Sequence, residues 1–202
     1  MNRDEALGLF REAGAYLDGH FLLTSGRHSD AYIEKFRLLE DPVRCARLCA
    51  DMARHFADLA PTVVVGPAVG GILLAYETAR ALGVRGIFLE REEGRLKFRR
   101  GFALRSTDRI LVVEDVVTTG TSVFEVLEVL AQERREGRVL GVACLVDRSG
   151  GKTDFGLARQ RALLELDLPS WEAGACPLCA KGIPLTQRGS RSQPGTPRGI
   201  EA

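Results

Sequence analysis

The sequence predicts an α/β protein: a mostly parallel sheet flanked by helices. Three observations carry this. Short apolar runs alternate with amphipathic segments of 10–16 residues between positions 61 and 147. The runs are continuous rather than alternating in polarity, as in strands covered on both faces. The turns after them are rich in glycine, hydroxyl and charged residues, and in such sheets ligands bind beyond the carboxyl ends of the strands.

The elements follow in order. Residues 3–17 read as an amphipathic helix with Ala6, Leu7, Phe10, Ala13 and Leu17 on one side. GHFLLTSGRHSDAYIEKF is rich in turn residues and reads as a β-hairpin or a loop with a short strand. Asp41-Pro42 opens a second helix, Asp as N-cap and Pro at the first helical position, which is expected to run to about Leu59. PTVVVG is a buried strand, GGILLAYETARALG a helix stopped by glycine, RGIFLE a second strand and ILVVED a third. SVFEVLEVLAQERREG is a helix with glycine as its stop, and RVLGVACLVD a fourth strand. The pattern weakens after Leu168, and residues 186–202 read as a mobile tail behind a single domain spanning 1–185.

Composition excludes several classes. The apolar fraction of 45% suffices for a full core, and a net charge of +1 argues against a general nucleic-acid or membrane-surface binder. Basic residues are 24 Arg against 4 Lys, read first as a genomic or thermal bias. The N-terminus lacks the apolar core of a signal peptide and no run approaches a membrane span, so a soluble, cytoplasmic protein is expected. Five cysteines at irregular spacing do not suggest a disulfide framework. Cys176-Pro-Leu-Cys179 has zinc-knuckle spacing, and Cys45 and Cys49 could offer two more thiolates. One CxxC is weak support, and the sequence is read without a structural metal. His20 and His28 are read as ordinary polar or interface residues rather than ligand contacts.

Three strand-end loops are candidates for chemistry. Gly66-Pro-Ala-Val-Gly-Gly71 is either a phosphate-approaching turn or a tight turn that needs positive φ angles. Arg91 to Arg100 places five basic and two acidic side chains around Gly94, as a solvated surface hairpin or as a flexible cationic flap over a polyanion. Most particular is ILVVEDVVTTGTS. An unpaired buried charge is costly, so Glu114 and Asp115 at the end of a strand are either surface charges, with Ser122 as a plain N-cap, or acceptors for a sugar diol or a hydrated metal ion, and the particular order of the stretch favours the second. The run from Thr118 to Ser122 leads into a helix beginning near Val123. Its hydroxyls, backbone N–H groups and helix N-terminus suit a phosphate monoester. Diol-binding acids beside a monophosphate seat suggest a ribose 5-phosphate. The basic flap and glycine loop suggest a second anionic group, which together indicate 5-phosphoribosyl 1-diphosphate.

VVEDVVTTGTS resembles the phosphoribosyl diphosphate signature of the type I phosphoribosyltransferases. Residues 19–32, 65–80, 90–102, 110–122 and 144–151 occur in the order of the orotate phosphoribosyltransferases, which the chain resembles over roughly residues 10–185. The resemblance implies a small N-terminal hood of about residues 1–40 and a mobile β-hairpin loop. It implies a Mg²⁺-dependent transfer of phosphoribose to orotate in pyrimidine synthesis, by a homodimer whose 91–100 loop reaches the partner's site. Carried over by position, Glu114 and Asp115 would hold the ribose hydroxyls, with Val116, Val117, Thr118, Thr119, Gly120, Thr121 and Ser122 around the phosphate. Arg91 and Gly70 would contact the diphosphate, Lys97 and Arg95 would join Asp115 in catalysis, and Thr118 and Arg148 would meet orotate. The metal would be held mainly by the substrate's diphosphate. Thr24, Gly70 and Glu92 stand where many family members carry lysine. Two alternatives remain from the sequence: a phosphoribosyltransferase for a purine or uracil, and a non-catalytic RNA-binding regulator on the same fold.

Overall fold

The computed structural model describes residues 1–23, 25–132 and 138–188. The chain divides into two compact units. One comprises Met1–Ala15 and Glu34–Asp167, the other Tyr16–Ile33 and the segment from Leu168 onward.

The larger unit holds a six-stranded sheet in the order β5-β4-β3-β6-β7-β8. Its strands are β3 (Val63–Pro67), β4 (Arg85–Glu92), β5 (Arg95–Phe98), β6 (Arg109–Val117), β7 (Arg138–Asp147) and β8 (Gln160–Glu165). All neighbours are parallel except β4 and β5, which form an antiparallel hairpin. Helices α4 (Gly70–Leu82) and α5 (Thr121–Gln132) connect the parallel strands. Val63, Val65, Ile110, Val112 and Val142 pack with Val123, Val126 and Leu130 of α5 in one cluster. The alternate positions Val64, Leu111, Val113 and Ala143 are equally buried and point the other way. Removing such side chains from water contributes roughly 1.5–3 kcal/mol each, so a sheet apolar on both faces is the arrangement that uses every strand position.

Local chemistry explains the boundaries. Helix α1 (Arg3–Glu12) begins with a capping box between Asn2 and Glu5. It stops five residues short of the expected end because Gly14 takes a positive φ of 62° and turns the chain. Leu17 therefore lies on a strand rather than on the helix. Helix α2 is a single turn (Phe36–Leu39). In α3 (Pro42–Arg54) the Asp41 carboxylate accepts from the N–H groups of Val43 and Arg44, as the N-cap reading predicts. Its expected continuation to Leu59 is a separate 3₁₀ turn, Ala57–Leu59. Helix α4 ends at Gly83 in the left-handed region. The expected run of the next helix to Gly137 lies outside the described residues, as does the expected 186–202 tail from 189 onward, whereas Thr186 and Gln187 form a short paired strand.

The smaller unit is a four-stranded sheet in the order β10-β1-β2-β9: β1 (Tyr16–Leu22), β2 (His28–Ile33), β9 (Ser170–Trp171) and β10 (Thr186–Gln187). The β1–β2 pair is the expected hairpin. A one-turn helix, α6 (Pro177–Ala180), lies between β9 and β10 in sequence. Strands β9 and β10 and helix α6 show no readable period, because two-residue strands and single turns are too short for one; β8 has only Ala162, Leu163 and Leu164 as an apolar run between charged and polar residues.

Close packing sets one testable limit. A Cβ on Gly141 of β7 would lie 2.2 Å from the Arg159 carbonyl oxygen and 2.6 Å from the Phe56 ring. Gly141→Ala is therefore expected to cost about 1–3 kcal/mol, measured as a lower urea midpoint; an unchanged midpoint would show that β7 and β8 can separate freely there.

Candidate functional site

Strand β6 delivers Glu114 and Asp115 to its carboxyl end, where both are buried. Glu114 Oε1 accepts from the Asp115 N–H at 2.8 Å, and Asp115 Oδ1 from the Val116 N–H at 2.7 Å. The Lys35 ammonium, just before α2, meets Asp115 Oδ2 at 2.6 Å. Burial first, and the neighbouring Asp115 charge second, push the Glu114 carboxyl up to about 8. One carboxylate is thus paired, and the other is poised near neutrality.

Beyond them the chain turns through Thr118, Thr119 and Gly120 into α5 at Thr121, two residues earlier than the expected start near Val123. Residues Glu114 and Val116 to Val123 line a small open cavity of about 60 Å³. Gly120 is required twice over. Its φ is +78°, and a Cβ there would lie 2.6 Å from Thr153 and 2.8 Å from Phe155. The Thr119 and Thr121 hydroxyls are hydrogen-bonded at 2.8 Å, and the Thr153 hydroxyl donates to the Thr118 carbonyl at 3.2 Å. The result is a polar turn, closed by backbone and aromatic contacts, at the N-terminus of a three-turn helix. Such a turn offers N–H groups and hydroxyls to an anion.

The Gly66–Gly71 loop lies at the end of β3, the parallel neighbour of β6. Its glycines are not in the left-handed region, so positive φ is not their reason. They permit close approach. A Cβ on Gly66 would sit 2.4 Å from the Gly71 carbonyl oxygen, and one on Gly70 would sit 1.9 Å from Asp115 Oδ2. Gly70 and Asp115 are thereby in contact, and any side chain at 70 would displace the carboxylate from its present position.

The cationic segment is a hairpin, β4–β5, with Glu93 (φ 49°) and Gly94 (φ 82°) as its two turn residues. Its charges are satisfied locally. Arg100 holds Glu90 through two bonds of 2.8 and 3.0 Å, Lys97 meets Glu92 at 3.0 Å, and Arg91 pairs with Glu125 of α5. Arg95 lies directly across the ladder from Glu92. Arg148 follows β7, and its N–H donates to the Val117 carbonyl at 2.8 Å, which ties it to the end of β6. Thr24 lies outside the described residues.

Lys35 and Glu125 carry no motif and were not singled out from the sequence. Lys35 had one available signal: it is one of only four lysines in a chain that otherwise uses arginine.

The chain matches the phosphoribosyl transferase domain family over residues 38–154. An orotate phosphoribosyltransferase from Caldicellulosiruptor bescii is 46% identical over 193 residues, covering 96% of this chain and all of that one. The chain belongs to the orotate phosphoribosyltransferase family. Another orotate phosphoribosyltransferase, from Pelotomaculum thermopropionicum, is 49% identical over 191 residues, 95% of this chain and 99% of the relative. Among solved structures, the orotate phosphoribosyltransferase of Mycobacterium tuberculosis H37Rv in complex with 5-phospho-α-D-ribosyl 1-diphosphate is similar. It is 28% identical with a TM-score of 0.60, covering 81% of this chain and 96% of that one. In this family member the expected parallel sheet and flanking helices are present.

The poised carboxyl group gives a pH test. The folded chain keeps the Glu114 proton to about pH 8, whereas an ordinary carboxyl loses it near 4.5. The stabilisation is therefore full below pH 4.5 and is lost as pH rises through about 8. Glu114→Gln is expected to match the parent near pH 4.5 and to exceed it above pH 8 by on the order of 2–4 kcal/mol. Urea midpoints across that range check it; identical profiles for both proteins would mean that Glu114 ionises as in water.

Proposed function

We propose that this chain transfers the 5-phosphoribosyl group from 5-phosphoribosyl 1-diphosphate to orotate, giving orotidine 5′-monophosphate and diphosphate in pyrimidine biosynthesis. The observation that carries the reading is the end of β6. Two buried carboxylates there adjoin a hydroxyl-lined turn at the N-terminus of α5, in a chain 46% identical to an orotate phosphoribosyltransferase across nearly its whole length.

In this reading Glu114 and Asp115 hold the ribose hydroxyls, and residues Thr118 to Ser122 seat the 5′-phosphate. Orotate is an anion with a carboxylate beside its attacking nitrogen, and Arg148 suits that carboxylate as a bidentate donor. The nitrogen lone pair forms the bond to the ribose C1 as the C1–O bond to diphosphate breaks, the electron pair leaving on diphosphate and the proton of the attacking N–H passing to the departing diphosphate. Positive charge develops on the sugar in between, so positioning and electrostatics supply the catalysis. The hairpin cations Arg91, Arg95 and Lys97 receive the departing diphosphate, and closure of that hairpin keeps water from the cationic sugar.

The donor set also fits Mg²⁺, which takes oxygen ligands and keeps several waters. Asp115 Oδ2 is already 2.6 Å from the Lys35 ammonium, so this carboxylate suits a contact through water, with the diphosphate oxygens as the main ligands. Held there, the ion would supply charge neutralisation for the leaving diphosphate. Among the described residues no helix is long and apolar enough to cross a membrane. The reading places the enzyme in the cytoplasm, as a homodimer with the 91–100 loop acting in the partner's site.

With Mg²⁺ and 5-phosphoribosyl 1-diphosphate, the purified protein is expected to consume orotate at least about a hundredfold faster than uracil, adenine or hypoxanthine, because those bases lack the carboxylate to which a guanidinium makes its bidentate bond. Comparable turnover of hypoxanthine or uracil would assign a different base. The dimer reading has its own test. Mixing a Lys97→Ala/Arg95→Ala subunit with an Asp115→Asn subunit should regain measurable activity, since one of the two sites in the heterodimer then has both an intact hairpin and an intact Asp115. Confirmed heterodimers without recovery would mean that each hairpin serves its own subunit.

A further inference from the structure

The smaller unit brings together four side chains that the reaction does not use. His20 projects from β1, His28 from the start of β2, Cys176 caps α6 and Cys179 lies within it. His20, His28 and Cys176 are buried and Cys179 reaches the surface. Their ligand-type atoms all lie within 4.8 Å of one another. Cys45 and Cys49, the sequence's candidates for the other two thiolates, instead sit one turn apart on α3 in the larger unit.

We propose that His20, His28, Cys176 and Cys179 form a tetrahedral site for a divalent metal of the zinc class. The distances support a common centre. His20 Nε2 lies 3.0 Å from His28 Nδ1 and 3.4 Å from Cys176 Sγ. Cys179 Sγ lies 3.3 Å from His28 Nδ1 and 3.8 Å from His20 Nε2. Zinc bonds of 2.3 Å to sulfur and 2.0–2.1 Å to nitrogen give tetrahedral edges of about 3.3 Å between nitrogens and about 3.6 Å between nitrogen and sulfur. All four separations fall within about 0.3 Å of those edges. Hydrogen bonds need only bring atoms together two by two, whereas these four ligand-type atoms are all mutual neighbours within 4.8 Å.

A second observation fixes the proton. The other ring nitrogen of His20, Nδ1, lies 2.8 Å from the Ile183 carbonyl oxygen. A carbonyl only accepts, so Nδ1 carries the hydrogen and Nε2 presents a lone pair to the cluster. This is the outer hydrogen bond that orients metal-bound imidazoles. The Cys-Pro-Leu-Cys turn is shaped for the same purpose. The Ala180 N–H donates to the Cys176 carbonyl at 3.2 Å and the Gly182 N–H to the Cys179 carbonyl at 2.9 Å, which folds both sulfurs to one side. Two imidazole and two thiolate ligands favour zinc over magnesium or calcium.

The smaller unit also needs such a centre. Among its described residues the buried apolar side chains are Phe21, Ala31, Ile33 and Cys176, too few to form a core of their own, and small units of this kind are commonly held by a metal. The ligands come from segments 156 positions apart in sequence, so the ion would fasten the Cys176–Gln187 segment to the β1–β2 hairpin, where β10 already pairs with β1. Both thiols are free, and binding releases their protons to the solvent.

The test is metal analysis of the untagged full-length protein. About one equivalent of zinc per chain is expected, and Co²⁺ added to chelator-treated protein should give the visible bands of tetrahedral cobalt with thiolate ligands. Cys179→Ser and His28→Ala should each lower bound zinc at least about tenfold, whereas Cys144→Ala should retain it. Less than about a tenth of an equivalent of zinc together with no cobalt spectrum in the parent protein would overturn the site. So would equal zinc uptake by the parent and Cys179→Ser, or a Cys176–Cys179 disulfide in protein purified under reducing conditions. The parent measurements stand even where a variant does not fold.

Discussion

Asp115 meets the Lys35 ammonium at 2.6 Å, and the buried Glu114 beside it is driven toward its protonated form. Two adjacent carboxylates can be taken out of water only on terms like these: one paired with a cation, the other kept close to neutral. The surroundings follow from that constraint. Gly70 has no side chain because the Asp115 carboxylate occupies the space, so α4 can begin at the strand end. The segment before α2 must present Lys35 there, which gives that single turn a place in the site although its own packing is slight. The acids at the end of β6 are thus coupled to two elements that a linear motif does not contain.

The turn from Thr118 to Ser122 is organised by shape more than by charge. Gly120 is enclosed by Thr153, Phe155 and Phe124, so the turn is braced by the segment between β7 and β8. Its donors are therefore fixed before a ligand arrives. A preformed cradle loses less conformational freedom on binding than a loop that must be ordered.

The parallel sheet was legible because continuous apolar runs and glycine-stopped helices are long enough to show their period, as in PTVVVG followed by GGILLAYETARALG. The Asp41 cap was legible for the same reason, a local pattern with a local cause. Of the site, the strand-end acids and the hydroxyl turn could be read because both lie within 13 consecutive residues. Lys35 could not, since it meets Asp115 only through the fold. Nor could the partnership of His20 and His28 with the Cys176 pair, which depends on strand register and on a single helical turn. The glycines at 66 to 71 are compatible in sequence with an anion-approaching turn or with positive φ; the structure shows ordinary φ and close approach to Gly71 and Asp115, a distinction that sequence alone does not make.

The β4–β5 hairpin has one more consequence. Its cations are already engaged, Arg100 with Glu90, Lys97 with Glu92 and Arg91 with Glu125. A polyanion that recruited them would have to displace three carboxylates, so toward such a ligand the hairpin would act as an ion exchanger rather than as a bare positive surface. Dissolved salt weakens the pairs being broken and the pairs being formed alike, and the two effects oppose each other. The selectivity of such an exchanger rests on multivalency. A diphosphate, with several charges on adjacent oxygens, can replace three separate carboxylates at once, and a singly charged anion cannot.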